Sequence, residues 1–146
     1  KVDYKLDFLR KSQSLNELTS KIITGLEAVL EKNLPDLILV HGDTTTTLAA
    51  SLAAYYHQIP LGHIEAGLRS FDRRMPEEQN RIVADHLSTI LACPTLKSVD
   101  NLRDEGITNN VYFTGDLMFD SVNLFKLFLI SALIAFFKLS SPLDDV

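Results

Sequence analysis

Apolar residues in the early part of the chain recur at spacings of three and four, as on one face of an amphipathic helix. Within residues 14–32 they are Leu15, Leu18, Ile22, Ile23, Leu26, Val29 and Leu30. Ser14, with Glu17 three positions later, forms a capping box and predicts where this helix begins. Asn33 and Pro35 predict its end.

Four short apolar runs follow, each of the length expected for a strand buried in a parallel sheet. The runs are residues 37–40, 60–64, 89–93 and 111–114. Helical patterns separate and follow them, at residues 44–57, 77–88, 95–105 and from Asp116 onward. Strands that alternate with helices across short loops indicate βαβ units. The pattern therefore predicts an α/β fold: a Rossmann-like parallel sheet with helices on both faces.

The end of the chain breaks this pattern, because residues 124–137 are apolar on nearly every side of a helix. A bilayer crossing takes about 20 residues, and Lys126 interrupts the run. We expect a buried helix, or a segment that packs on something outside this chain; a membrane-associated end is the less favoured alternative. The predicted division is a domain of residues 1–122 and an atypical apolar tail of residues 123–146.

Composition narrows the class of protein. A net charge of −5, with basic residues scattered along the chain, argues against a nucleic-acid binder. A hydrophobic content of 46% and a charged content of 23% are typical of a soluble globular protein. The single cysteine, Cys93, excludes a disulfide within the chain and fits a reducing compartment. We therefore expect a cytoplasmic protein.

Candidate chemistry is sought just after the apolar runs, because ligands of a doubly wound sheet collect at the carboxyl ends of its strands. Asp43 follows the first run and precedes four threonines that begin with Thr44, at a helix start that favours anions. Asp and Thr are also favoured helix caps, which is the structural alternative. Glu65 directly follows the second run, and burial there would require a partner such as Arg69. His63 is expected to be a satisfied core residue.

A third group of polar residues opens the helix after the second strand. Glu77 and Glu78 complement the helix dipole, which is a sufficient structural explanation for both. Asn80 and Arg81 are a candidate hydrogen-bonding and phosphate-binding pair, although a surface salt bridge is the default for Arg81. Asp85 most simply caps or decorates the helix. There is no spacing of metal ligands, no glycine-rich dinucleotide motif, no Walker motif and no nucleophile elbow. Residue chemistry alone suits proton transfer on a phosphorylated or nucleotide-linked substrate, without naming the reaction.

Two segments, VHGDTTTTLAASLAAYYHQIPLGHIEAGLRS and MPEEQNR, resemble the non-hydrolysing UDP-N-acetylglucosamine 2-epimerases. QSLNELT, PDLILV, CPT and TGDLMFD agree in family order, so the resemblance covers residues 3–122. It implies part of the N-terminal domain of a two-domain GT-B fold. It also implies interconversion of UDP-N-acetylglucosamine and UDP-N-acetylmannosamine, by elimination and re-addition of UDP, with no cofactor or metal. The full-length family is expected to form homo-oligomers, as dimers.

The resemblance also implies which residues form the site. The acids of its HGD, HxEAGLR and PEE motifs are catalytic as a set, with acid/base or substrate-orienting roles: Asp43, Glu65 and Glu77. Substrate-binding residues are expected to be Thr44, Arg69, Asn80 and Arg81.

Departures from the family pattern qualify the expected activity. Family members have an additional first strand with a G-x-R-P-E loop, and a second domain with a catalytic His and a UDP-binding loop; no segment here matches either. The stretch from Glu65 to Glu77 is shorter than in many bacterial members, and the tail after Asn123 is unlike theirs. We expect a fragment of an epimerase that is inactive alone. The alternative is a non-catalytic remnant or interaction module of the same fold.

Overall fold

Within the residues that the structure describes, nine regular elements occur in the order that the sequence predicts. The computed structural model describes residues 2–140, with side chains up to residue 131. The strands are β1 (Ile38–His41), β2 (Leu61–Ile64), β3 (Ile90–Cys93) and β4 (Val111–Phe113). The helices are α1 (Leu15–Leu30), α2 (Thr45–Tyr56), α3 (Pro76–Leu87), α4 (Leu96–Asp104) and α5 (Leu117–Ser140). Every predicted boundary lies within two residues of the observed one.

The first two helices begin at side-chain caps: Ser14, as the sequence predicts, and Thr44, which follows the candidate cap Asp43. Ser14 Oγ accepts the backbone N–H of Glu17 at 3.2 Å. The Glu17 carboxylate binds Lys21 rather than returning to the cap, so only half of the capping box forms. Thr44 Oγ1 accepts the N–H of Thr47 at 3.3 Å and begins α2 in the same way. These caps satisfy N–H groups that the first turn of a helix leaves without partners.

The four strands form one parallel sheet in the order β1-β2-β3-β4. Residues paired across parallel strands point to the same face, and Val40, His63 and Leu91 are paired in this way. Val40 packs with Ala54 of α2, and Leu91 packs with Leu102 of α4. Helices α2 and α4 therefore cover the same face of the sheet.

Helices α1 and α3 belong to the same layer, because Ile38 of β1 contacts the cluster that contains Leu30 of α1, and Leu87 of α3 packs beside Val40. On the opposite face Leu39 and Tyr112 are exposed, by 61% and 53%. The α/β Rossmann-like prediction is confirmed. Helices on both faces were expected, but among the described residues up to Gly115 they cover one face. A sheet whose consecutive strands are adjacent, with crossovers of one hand, places every connecting helix on the same side.

The chain divides into two compact units, one ending at Gly115 and one beginning at Asp116. In the second unit, the apolar side chains of α5 that the structure describes are exposed, among them Leu124, Phe125 and Phe128. Both alternatives for this helix, burial and packing on something outside this chain, stay predictions. Residues 141–146 of the predicted tail lie outside the described residues, and the division after residue 122 stays a prediction. No described helix combines the length and the apolar character that crossing a membrane requires.

Candidate active site

The turn after β1 and the turn after β2 lie side by side at the carboxyl edge of the sheet. The N–H of Gly42 donates to the carbonyl of Ile64 at 3.0 Å. A side chain on Gly42 would place its Cβ 3.3 Å from Oε2 of Glu65, and the backbone there has φ +72°. Glycine therefore permits both the left-handed turn and the close approach of the Glu65 carboxylate. Asp43 follows Gly42 directly, so the two predicted acids Asp43 and Glu65 come from touching turns.

Glu65 has an unusual backbone and a partner that the sequence did not predict. Its φ is +71°, in the left-handed region that residues other than glycine rarely adopt. Its carboxylate is a quarter exposed and lies 3.4 Å from Nε2 of His41, measured at Oε1. Arg69, the expected partner, binds other acids instead. Strained backbone of this kind is concentrated at functional sites.

Arg69 is buried between two carboxylates. Its NH1 lies 2.7 Å from Oδ2 of Asp85, while Nε and NH2 each donate to Glu105 at 2.7 Å. Burial by itself lowers the pKa of Arg69, but the hydrogen bonds and charges of Glu105 and Asp85 raise it above its ordinary value. Arg69 binds Glu105 through a bidentate contact and Asp85 as a fully buried carboxylate, whereas Glu65 lies beside His41.

Glu78, rather than its neighbour Glu77, is the buried acid of α3. Its carboxylate accepts the N–H groups of Ser70 and Phe71 at 2.9 Å each, and Arg81 lies 3.1 Å away. Burial by itself raises the pKa of Glu78, but these hydrogen bonds, first those from Ser70 and Phe71, hold it below its usual range. Glu77 is exposed in the first turn, and none of the described hydrogen bonds or ion pairs involves its side chain.

Helix α3 also holds the turn that carries Asp43. Arg81 NH2 pairs with the Asp43 carboxylate, and Asn80 Nδ2 donates to the Asp43 carbonyl at 2.8 Å. The Arg81 side chain is only 12% exposed, so its expected role as a surface salt bridge is wrong. It is buried because Glu78 lies one helical turn before it and Asp43 faces it from the neighbouring turn. Thr44 is exposed beside Asp43, where its hydroxyl caps α2.

A second buried pair lies beneath these turns. His63 is a satisfied core residue, as predicted: Nδ1 lies 2.6 Å from Oδ1 of Asp85, and Nε2 lies 2.9 Å from the Gly42 carbonyl. Asp85 was expected to cap or decorate α3, which is wrong, because it is 1% exposed. Its other oxygen accepts the N–H of Gly67 at 3.1 Å. Asp85 follows Glu78 by seven residues, so both acids lie on the same face of α3. This spacing was the sequence signal from which the burial of Asp85 could have been inferred.

The predicted site residues thus fall into two groups. Asp43, Glu65, Glu77 and Thr44 retain exposed surface, whereas Arg69, Asn80 and Arg81 are occupied by contacts within the chain. Within residues 2–140, no three His, Cys, Asp or Glu side chains are grouped so as to hold a metal ion.

The family described as UDP-N-acetylglucosamine 2-epimerase matches residues 1–135. The chain belongs to this family. It is similar to UDP-N-acetylglucosamine 2-epimerase of Yersinia pestis, with 50% identity over 123 residues that cover 82% of this chain and 33% of the relative. It is also similar to the enzyme of that name from Neisseria meningitidis, with 49% identity over 125 residues that cover 84% of this chain and 34% of the relative.

Solved structures of the family agree in fold. The crystal structure of UDP-GlcNAc 2-epimerase from Neisseria meningitidis bound to UDP-GlcNAc matches with a TM-score of 0.81 and 46% identity, covering 91% of this chain and 38% of that chain. The structure of UDP-N-acetylglucosamine 2-epimerase from Rickettsia bellii matches with a TM-score of 0.78 and 34% identity, covering 89% and 34% respectively. The chain spans about a third of the length of the curated relatives that it matches.

Proposed function

We propose that this chain supplies the acid/base side of the active site of a UDP-N-acetylglucosamine 2-epimerase. The enzyme would interconvert UDP-N-acetylglucosamine and UDP-N-acetylmannosamine. The observation that carries the proposal is the meeting of Asp43 and Glu65 around Gly42, at the carboxyl edge of the sheet. The substrate follows from the similar proteins, which are UDP-N-acetylglucosamine 2-epimerases.

The proposed reaction requires groups that move one proton. A base removes the proton at C2, the C–H electron pair forms the C1–C2 double bond, and the C1–O bond to UDP breaks. Re-addition of UDP and return of the proton to the other face of C2 gives the epimer. We assign Asp43, Glu65 and Glu77 to the proton transfers and to substrate orientation as a set. Glu65 is suited to such work because it is partly buried and held in a strained conformation.

The remaining predicted residues divide between binding and support. Thr44 lies exposed at the N-terminus of α2, where backbone N–H groups favour a diphosphate. Arg69, Asn80 and Arg81 are assigned to positioning, because their polar groups already bind Asp85, Glu105 and the Asp43 turn. We further propose that the enzyme works in the cytoplasm as a homodimer on a UDP-sugar.

The proposal is tested with a chimera, because the chain matches only a third of its relatives. Residues 3–122 replace the matched segment of the Neisseria meningitidis relative, and formation of the manno epimer is followed by NMR. We expect turnover by the chimera and none by this chain alone. A chimera that folds but is inactive would contradict the proposal and favour a non-catalytic module.

The role of Glu65 is tested in the same chimera. Glu65→Gln should lower kcat by at least about a hundredfold, as for loss of a general acid or base. Glu27→Gln is the matched control, because Glu27 is exposed on α1 and none of the described hydrogen bonds or ion pairs involves its side chain. A loss below about threefold for Glu65→Gln corresponds to less than about 1 kcal/mol of barrier and would remove Glu65 from the proposed set.

A further inference from the structure

His63 occupies a position that determines its protonation. It lies in the middle of β2, and its side chain is fully buried. Nε2 is 2.9 Å from the carbonyl oxygen of Gly42, and Nδ1 is 2.6 Å from Oδ1 of Asp85. A carbonyl oxygen can only accept a hydrogen bond, so Nε2 must carry a proton.

The state of Asp85 decides the other nitrogen. Its Oδ2 accepts the N–H of Gly67 at 3.1 Å and lies 2.7 Å from NH1 of Arg69. A carboxyl group bound to a guanidinium is stabilised as the ionised form, which can only accept. Nδ1 of His63 must then donate as well, and the ring carries two protons.

The charges around the pair agree with this assignment. The charges sum to zero when His63 is protonated, with Arg69 and His63 against Asp85 and Glu105. Glu105 keeps 28% of its side chain exposed, so solvent shares its charge, and the hydrogen bonds of the ring decide the assignment. Cys93, which packs in the same region, adds no charge, because burial, followed by the charge of Asp85, raises the pKa of its thiol to about 11.

We propose that His63 is a buried imidazolium that positions the Gly42–Asp43 turn for the reaction proposed above. The Nε2–H of His63 donates to the carbonyl oxygen of Gly42, and the N–H of Gly42 donates to the carbonyl oxygen of Ile64. Gly42 is thereby held from both sides against β2, and Asp43 follows it. Glu65 lies two residues after His63 along the chain, so one ring sets the relation between the two acids. The protonation rests on the structure alone, whereas the catalytic consequence rests on the proposed function.

The protonation is tested by NMR on this chain labelled with ¹⁵N-histidine. We expect both ring nitrogens of His63 to carry slowly exchanging protons at neutral pH. The proton on Nδ1 should be the one in the hydrogen bond to Asp85. Asp85→Asn removes the ionised acceptor, so Nδ1 should then lose its proton. An unprotonated ring nitrogen of His63 in the wild-type chain would overturn the proposal, whatever the activity of the chimera.

The positioning role is tested in the chimera with two variants that each keep one half of the contact. His63→Gln retains an N–H at the place of Nε2, within reach of the Gly42 carbonyl, whereas His63→Asn retains one at the place of Nδ1, facing Asp85. We expect His63→Asn to lower kcat by about tenfold to a hundredfold, with KM changed little, and His63→Gln to recover most of it.

Equal losses in the two variants, or losses that follow only the folded fraction measured by NMR, would mean that His63 is merely structural and would refute the positioning role. An inactive parent chimera counts against the proposed function. The NMR measurement of ring protonation on this chain still decides whether His63 is an imidazolium.

Discussion

Replacing Gly67 with alanine should destabilise the chain far more than the same change at Gly106. Both glycines have left-handed backbones, with φ +78° and +83°. Each substitution therefore carries the same strain, about 1–2 kcal/mol. The surroundings differ: a Cβ on Gly67 would lie 2.3 Å from the carbonyl oxygen of Ser98, whereas a Cβ on Gly106 meets nothing within 4 Å. The pair thus isolates the effect of the close approach.

The magnitude follows from what must move. The backbones of Gly67 and Ser98 would have to separate by about 1 Å to restore ordinary contact. That movement weakens two buried hydrogen bonds, from the N–H of Gly67 to Asp85 at 3.1 Å and from Asn101 to the Gly67 carbonyl at 2.9 Å. Each contributes about 1 kcal/mol, and more when a group is left unsatisfied. We expect Gly67→Ala to lower the free energy of unfolding by about 3–5 kcal/mol, against about 1–2 kcal/mol for Gly106→Ala.

Urea unfolding followed by far-UV circular dichroism measures both losses on this chain. The comparison holds when the two variants share the m-value of the wild type, since m reports the surface exposed on unfolding. A Gly67→Ala loss within about 0.5 kcal/mol of the Gly106→Ala loss would refute the reasoning, because the close approach to Ser98 would then have no energetic consequence.

Four further substitutions test the contacts of Glu78, Arg69 and Thr44, each measured by urea unfolding. Glu78→Gln should cost about 2–4 kcal/mol at neutral pH. Because the folded-state pKa of Glu78 lies below its ordinary 4.5, its contribution is present above that value and is lost as pH falls through the folded pKa, so the variant should show less acid destabilisation than the wild type. Arg69→Lys should cost about 2–3 kcal/mol, since lysine cannot make the bidentate contact to Glu105. Thr44→Ala should cost about 1 kcal/mol through loss of the α2 cap, and Thr44→Ser should restore most of it.

The elements of the fold were predictable because their signals are local. Apolar periodicity and capping residues act within a few positions, so every boundary was predicted to within two residues. The one-sided layer of helices was not predictable in this way, since it depends on the order of strands in the sheet, which periodicity does not encode.

The contacts of the site were less predictable, because they join residues far apart in sequence. Arg69 was predicted to pair with Glu65 because the two are close in sequence. Glu65 and Gly67 both have left-handed backbones, and Arg69 binds Asp85 instead. No sequence pattern announces a left-handed glutamate. The burial of Asp85 could be inferred only from its position seven residues after Glu78, which places it on the same face of α3.

The arrangement of the three proposed catalytic acids depends on a single helix. Arg81 of α3 holds the turn of Asp43, and Asp85 of α3 binds the turn that follows Glu65. Glu77 is part of the same helix. Apolar side chains at the buried positions could stabilise the fold as well or better, but they would not fix the direction of two loops. A displacement of α3 would therefore shift Asp43, Glu65 and Glu77 relative to one another, and the proposed reaction depends on their separation. The buried charges of α3 are thus better explained by the placement of the acids than by stability.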